Sequence, residues 1–588
     1  MATPETTEDR RVRIADADEE LLASLGYKQE FKRTFTSFEV FGVAFSIISL
    51  VPSIASSLVY AIPNGGPASM IWGWLAASFF ILFVGLAMAE LASAAPTSGG
   101  LYFWTWTFSS PKYKKILSWL VGYANTIGTI AGIASIDWGC AVQVMAAASI
   151  GSGGKFVATT GQTYGVYLAI LFTHAIVCSL ATSLLARLQN VYVVLNLALF
   201  LAILIALPIA TPAEFRNSGN YALGNFTNLS GYSDGFAFFL SWLAPVWTIG
   251  SYDSSVHISE EASNAAVAVP WAIVGAIAIS GILGTVLCFS RDIAEDTPPA
   301  LNIAIAFCMG TNINAILNSS IGQPLAATAL QFYKTEQIFF NSFGERATLG
   351  IWSVVVVTQW GMGSSIVLST SRQVFAFSRD GAMPFSRILY RINEHTGTPV
   401  NSQLFHLYIY AWTENTPAVW FSVLIAALLG LLAFAGEVAI MAVFSIAVIG
   451  LYIAYIIPIG ARFVFKQDKF RPGPFTLGPF GLPVATIAIT FMTFVTIILL
   501  FPSRPTPGFS DMNYATVVMG AVMIGSVVWY YFPKYGGIHW FEGPVSTVDV
   551  TDGTSSAHTR AASTVSFDKG KEKSDARVYE REAHGESV

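Results

Sequence analysis

Of 588 residues, 54 % are hydrophobic and only 11 % charged, with a mean hydropathy of +0.57, whereas an ordinary soluble chain carries about 25 % charged residues. A net charge of −5 offers no basic surface for nucleic acid. The four cysteines (Cys140, Cys178, Cys288 and Cys308) lie in or beside apolar runs, which suits small packing residues and not a disulfide framework or a metal site.

The chain opens on a mixed polar stretch, residues 1–35, which reads as a cytoplasmic tail without a cleavable leader. A helix needs roughly 20 predominantly apolar residues to cross the hydrocarbon core. Such runs occur near 38–62, 68–94, 116–149, 163–186, 190–210, 235–256, 270–289, 347–370, 419–435, 437–458, 482–501 and 515–532. They define a transmembrane domain at 36–534 with about twelve helices, the ninth and tenth sharing a tight turn at Gly436. Residues 535–588, rich in Ser, Thr, Asp, Glu and Lys from 543 onward, read as a disordered cytoplasmic tail, a platform for phosphorylation or ubiquitination machinery.

Basic residues set the orientation. With both termini inside, the outer loops hold only Lys155, Arg216, Arg291, Lys334, Arg346 and Arg504 of the 31 basic residues. Inner segments hold clusters such as Arg10, Arg11 and Arg13, Lys112, Lys114 and Lys115, and Arg462, Lys466, Lys469 and Arg471. Two glycosylation sequons, at Asn225 and Asn228, fall in an outer loop, as this topology requires.

Two runs are interrupted. The first, FGVAFSIISLVPSIASSLVYAIP, carries Pro52 among Ser46, Ser49 and Ser53; the sixth, FFLSWLAPVWTIGSYDSSVHISEE, carries Pro245, Gly250, Ser251 and Asp253. Irregular backbone at membrane depth persists only where protein or a watery cavity satisfies it. Transporters built from inverted repeats place such breaks at equivalent positions of the two halves, around the substrate. Spans 1 and 6 are the equivalent pair of a five-plus-five repeat, so the sequence predicts an all-α membrane protein with broken helices 1 and 6 and two further helices.

Long stretches carry a family resemblance: LLASLGYKQEFKRTFTSFEVFGVAFSI (21–47), GGPASMIWGWL (65–75), MAELASAAPTSGGLYFWTW (88–106), APVWTIGSYDSSVHISEEASNAAVAVPWAI (244–273) and SRQVFAFSRDGAMPFS (371–386). From about residue 20 to 540 the chain resembles the fungal amino acid/choline transporters, which include the GABA permeases, within the amino acid–polyamine–organocation superfamily. The resemblance implies the same inverted-repeat fold and uptake of GABA, another amino acid or choline, usually driven by protons. Three stretches depart from the family pattern, near Thr285–Leu301, Thr328–Gln337 and Ser402–Pro417. They read as gene segments translated in error, with genuine loop insertion as the alternative.

Ionisable residues inside spans are costly and point to function. Asp137 in the third span and Asp253 beside the sixth-span break are candidates to meet a substrate ammonium or to take the coupling proton, against a structural hydrogen-bonded role for each. Ser49, Pro52, Ser53 and Ile54 mark the first break, and Gly250, Ser251 and Tyr252 the second; exposed backbone there suits a substrate carboxylate. Trp247, Tyr252 and Trp360 offer aromatic faces to a cation, and the resemblance favours Trp247. Asn125 is a polar candidate at similar depth. Glu90, Glu260 and Glu261, at inner span ends, are candidates for gating or proton coupling; the alternative for Glu90 is an inner cap against basic loops, and for Glu260 and Glu261 partial solvation at the cytoplasmic surface. No metal or cofactor is expected. No H-E-x-x-H or G-x-S-x-G motif supports a membrane enzyme; a choline or polyamine transporter, or a nutrient-sensing receptor of the same fold, remain the alternatives.

Overall fold

The computed structural model describes residues 7–153, 155–180, 182–285, 301–317, 325, 338–390, 416–465, 470–502, 504–505, 508 and 512–548. The three departing stretches lie almost wholly outside these residues, as do Cys288 and the tail after residue 548. Among the described residues the chain is helical, with only two isolated β-bridges, Phe35–Ala262 and Asn64–Asn228.

Eleven helices are long and apolar enough to cross a bilayer: Ser37–Ala61, Gly66–Ala94, Lys114–Gly151, Thr160–Ser179, Leu184–Ala210, Ala265–Gly284, Asn341–Arg379, Pro417–Ala435, Val438–Val464, Gly478–Leu499 and Tyr514–Tyr531. They match eleven of the twelve expected runs. The remaining run, the sixth, is divided into Asp234–Leu240, Leu243–Thr248 and Ser254–His257, each too short to span alone. The break that marks this span as unusual is what removes it from a count of continuous helices. The spans are numbered below with this one as the sixth.

Burial separates the centre from the lipid face. The apolar stretch of the first span is 94 % enclosed, while that of the twelfth is only 22 % enclosed. Val194, Ile205 and Ile209 of the fifth span and Ile524 and Val528 of the twelfth stand exposed, as a hydrocarbon solvent permits. The third span is the hub, packed on the fourth, eighth and tenth. At its contact with the tenth, Gly128 and Gly450 meet so closely that a Cβ on Gly450 would lie 2.8 Å from the Cα of Gly128. Close backbone approach of this kind replaces the hydrophobic driving force that helices lack in lipid.

Both terminal segments are structured at one end of the bundle. Thr7–Ser24 is a helix, and Phe35 bridges to the residues after the sixth span, its N–H donating to the Glu261 carbonyl (3.0 Å) and its carbonyl accepting from Ser263 (2.9 Å). Thr36 and Glu39 then form a capping box that starts the first span. Residues 535–546, which composition places in a disordered tail, pack against the third span. Trp540 and Phe541 lie edge-on to Trp119 at 5.5 and 5.3 Å, and Phe541 is fully buried. The apolar residues Trp540 and Phe541 give this stretch something to bury, unlike the polar residues beyond it.

Candidate substrate site

The first span breaks at Ser49, three residues before its proline. Ser49 has φ +34° and separates helices Ser37–Ile48 and Leu50–Ala61. Pro52 therefore sits in the first turn of the second helix, where a missing N–H costs little. That missing donor leaves the Ile48 carbonyl free, and the Ser53 hydroxyl donates to it at 2.7 Å. The Ser49 hydroxyl donates to Asn196 Oδ1 of the fifth span at 2.5 Å. In the sixth span Pro245 lies in the first turn of Leu243–Thr248. The chain then unwinds through Ile249–Asp253, with Ser251 at φ +54°. Gly250 is required there, since a Cβ would lie 2.9 Å from the Trp247 carbonyl oxygen.

A small cavity of about 20 Å³ opens against this unwound stretch, room for roughly one water. Trp247, Gly250, Ser251 and Tyr252 line it, as the sequence leads one to expect of a site at the break. Ile47 and Ile136 bring the first and third spans to it, Met362 the eighth, and Tyr452 and Tyr455 the tenth. Trp247 is fixed by donating its indole N–H to Ser135 Oγ (3.0 Å) and by stacking near Phe444 (4.8 Å).

Several polar groups at or next to this cavity have no hydrogen-bond partner in the protein, although Asp253 itself does not line it. Asp253 is fully buried and neither carboxylate oxygen has a hydrogen-bond partner; the buried hydroxyls of Tyr252, Tyr452 and Tyr455 also lack one. Tyr455 lies beside Asp253, and the Tyr252 and Tyr455 rings are 5.7 Å apart. The nearest cation-forming group is His257, its Nε2 3.4 Å from Asp253 Oδ2. That ring's Nδ1 faces the Ser98 carbonyl at 2.9 Å, and its Nε2 faces Asn125 Nδ2 at 3.1 Å. Buried polar groups are normally paired, so a carboxylate that accepts no hydrogen bond and has only His257 beside it, together with three unpaired hydroxyls, marks a place for a polar guest.

The other expected residues go elsewhere. Ser49, Pro52 and Ser53 organise the break, and Ile54 lines a second, smaller cavity with Ser57 and Trp74. Asn125 reaches the site only through His257. Asp137 and Trp360 are brought together away from the cavity by His174, whose Nδ1 is 3.0 Å from Asp137 Oδ2 and whose Nε2 is 3.0 Å from the Trp360 carbonyl. His174 was signalled by being the one ionisable residue in TYGVYLAILFTHAIVCSL that an apolar span would exclude. Tyr452 and Tyr455 carried no such signal in a chain with 14 % aromatics.

The three glutamates are buried in ion pairs and not partly solvated. Glu90 pairs with Arg462 and accepts from Thr476 Oγ1 and the Leu477 N–H, both at 3.0 Å. Glu260 holds the Arg379 guanidinium with both oxygens (3.1 and 3.2 Å) and accepts the Ser98 N–H at 3.0 Å; Glu261 accepts from Arg372 Nε at 2.7 Å. Such pairs are expensive to break once buried. The N-terminal segment closes over them: Gln29 Nε2 donates to the Glu260 carbonyl (2.7 Å), and the Tyr27 ring lies 4.0 Å under Arg379. Next to Arg379, the buried Asp380 carboxylate accepts from the Tyr27 and Tyr102 hydroxyls (3.1 and 2.7 Å) and from the Val545 N–H (3.1 Å).

Broken first and sixth spans meeting at a small, largely apolar cavity, inside a bundle of lipid-facing helices, define a membrane transporter. Residues 35–523 match the amino acid permease family, and the chain belongs to it. It is 37 % identical over 549 residues to the GABA-specific permease of Saccharomyces cerevisiae, covering 91 % of this chain and 87 % of that one. An uncharacterised amino-acid permease of Schizosaccharomyces pombe is 37 % identical over 537 residues (91 % and 90 %), and the amino-acid permease BAT1 of Arabidopsis thaliana 33 % over 547 (91 % and 98 %). The chain is thus an integral, multi-pass amino acid permease, in a family of transporters and not of enzymes.

Proposed function

We propose that this permease imports GABA or a similar small amino acid by proton symport, binding it at the cavity between the first and sixth spans. The observation that carries this reading is Asp253: a buried carboxylate that accepts no hydrogen bond, with His257 Nε2 at 3.4 Å and the unpartnered Tyr252 and Tyr455 hydroxyls nearby, is suited to a substrate ammonium. The backbone freed at the Ser49 and Ile249–Asp253 breaks offers donors for the substrate carboxylate. The cavity as it stands is smaller than any amino acid, so side chains lining it must retract when substrate enters. GABA as the substrate class is supported by the likeness to a permease of that name. In the same reading both termini are cytoplasmic, the membrane is the plasma membrane, and the tails meet regulatory enzymes.

The test is uptake of radiolabelled GABA in cells expressing the protein, competed with a panel of amino acids, polyamines and choline. Saturable uptake competed by ω-amino and α-amino acids, lost with a protonophore and indifferent to sodium, is expected. Preferential competition by choline would reassign the tyrosine cluster to a quaternary ammonium, and full uptake after collapse of the gradient would overturn symport.

A further inference from the structure

Asp137 and His174 form a fully buried pair that does not line the substrate cavity, between the third, fourth and eighth spans. Both nitrogens of the His174 ring face acceptors: Nδ1 faces Asp137 Oδ2 and Nε2 faces the Trp360 carbonyl, each at 3.0 Å. A carbonyl oxygen can only accept, so Nε2 must carry a hydrogen. A neutral ring with that hydrogen on Nε2 has a bare lone pair at Nδ1. Facing an ionised carboxylate, it would place two acceptors in contact and leave a buried negative charge without a donor. The contact is satisfied only when one further proton lies between the two groups, on Nδ1 or on Oδ2, and the pair is then neutral as a whole.

Among the described residues, the surroundings offer no alternative donor to Asp137 Oδ1. Asp137 Oδ1 has no hydrogen-bond partner and points at Gly363, where a Cβ would lie 2.2 Å from it and 2.5 Å from the His174 ring. The ionisable groups on the packed elements are engaged elsewhere. Cys140 and Cys178 contact the Val356 and Ser364 carbonyls, Tyr167 donates to the Ala426 carbonyl (2.6 Å), Tyr192 bonds Ser364, and Arg372 pairs with Glu261.

We propose that the Asp137–His174 pair is a proton-binding site, and that the proton it holds is the one coupled to substrate movement. Its release would break the contact between the third and fourth spans and so favour another arrangement of the helices around the cavity. The coupling role rests on the proton-symport reading above; the binding of a proton by the pair does not.

Two measurements test it. In proteoliposomes, GABA accumulation driven by an inward proton gradient is compared with GABA counterflow at equal pH, for wild type, Asp137→Asn and His174→Gln. Counterflow should stay within about threefold of wild type while gradient-driven accumulation falls to the equilibrium level. Wild-type accumulation in both variants would overturn the coupling role. Independently, wild-type protein labelled with nitrogen-15 histidine and carbonyl-13 tryptophan is read by solid-state NMR at pH 7.5. The ring coupled to the Trp360 carbonyl should carry a proton on both nitrogens or accept one from a protonated carboxyl. A neutral ring with a bare nitrogen beside an ionised carboxylate would overturn the site. A protonated pair in a wild type that accumulates nothing on a proton gradient would leave the site standing and sink symport and the coupling role.

Discussion

Asp253 is held where a carboxylate is costly, and the cost is the reason to assign it a ligand. A buried charge without hydrogen bonds destabilises the empty protein. Asp253→Asn should therefore raise the melting temperature of the ligand-free protein in detergent, while lowering GABA uptake by at least about tenfold, which is roughly 1.4 kcal/mol of lost interaction. A variant that melted lower and still transported would make the acid structural. Gly363→Ala tests a different residue: its methyl would collide with Asp137 Oδ1 and the His174 ring, so surface abundance should fall, as measured by biotinylation. The sequence of the sixth-span break is legible because proline, glycine and an acid interrupt an apolar run, a pattern with a specific cost in lipid. Tyr452 and Tyr455 were illegible because tyrosines three apart on a helix look the same whether they pack or bind.

At the scale of elements, eleven of the twelve expected runs are continuous spanning helices, because length and hydropathy are imposed directly by bilayer thickness. Sequence reading missed how the first one breaks. A proline suggests a kink at itself, yet the backbone turns at Ser49 and the Ser53 hydroxyl repairs the carbonyl that Pro52 orphans. Ser53→Val should then cost about 1–3 kcal/mol by leaving that carbonyl unpaired, seen as a lower melting temperature together with reduced uptake. The loop after the eighth span supplies a pH-dependent element. Burial raises the Asp380 carboxyl to about 6, opposed by Arg379, the Val545 N–H and the Tyr102 and Tyr27 hydroxyls. The closed arrangement, with the raised value, binds the proton better than an open one with an ordinary carboxylate. Its stability is thus fullest below about 4 and is lost as pH rises through about 6. The melting temperature of wild type relative to Asp380→Asn should fall between about pH 4 and 6 and level off above, and a flat difference across that range would refute the linkage.

On the scale of the whole molecule, one end of the bundle is covered by residues 18–35 and 535–546. Composition reads residues 1–35 as a solvated tail because they are polar, but their polar groups are spent on the mouth of the bundle. Asp18 accepts the Asn264 and Ala265 N–H groups at 2.7 and 3.2 Å, Gln29 holds the Glu260 carbonyl, and Tyr27 shares Asp380 with Val545. Beneath this layer, Ser369 Oγ donates to Ser254 Oγ at 2.9 Å, joining the eighth span to the sixth just below the unwound stretch. Removing residues 2–31 should leave every span and the Thr36–Glu39 cap intact, so the protein should still insert. The ion pairs of Glu260 and Glu261 would then face water, where such pairs hold weakly, and the mouth should open. The measurement is modification of a Ser369→Cys reporter, with the four native cysteines replaced, by a membrane-impermeant maleimide. The reporter is fully buried in the intact chain and should react slowly there. In the truncated chain it should react several-fold faster, and only in inside-out vesicles, which also places the sealed end in the cytoplasm. Faster reaction in right-side-out vesicles would invert the topology, and unchanged reaction in both would show that the terminal segments cover the mouth without holding it shut.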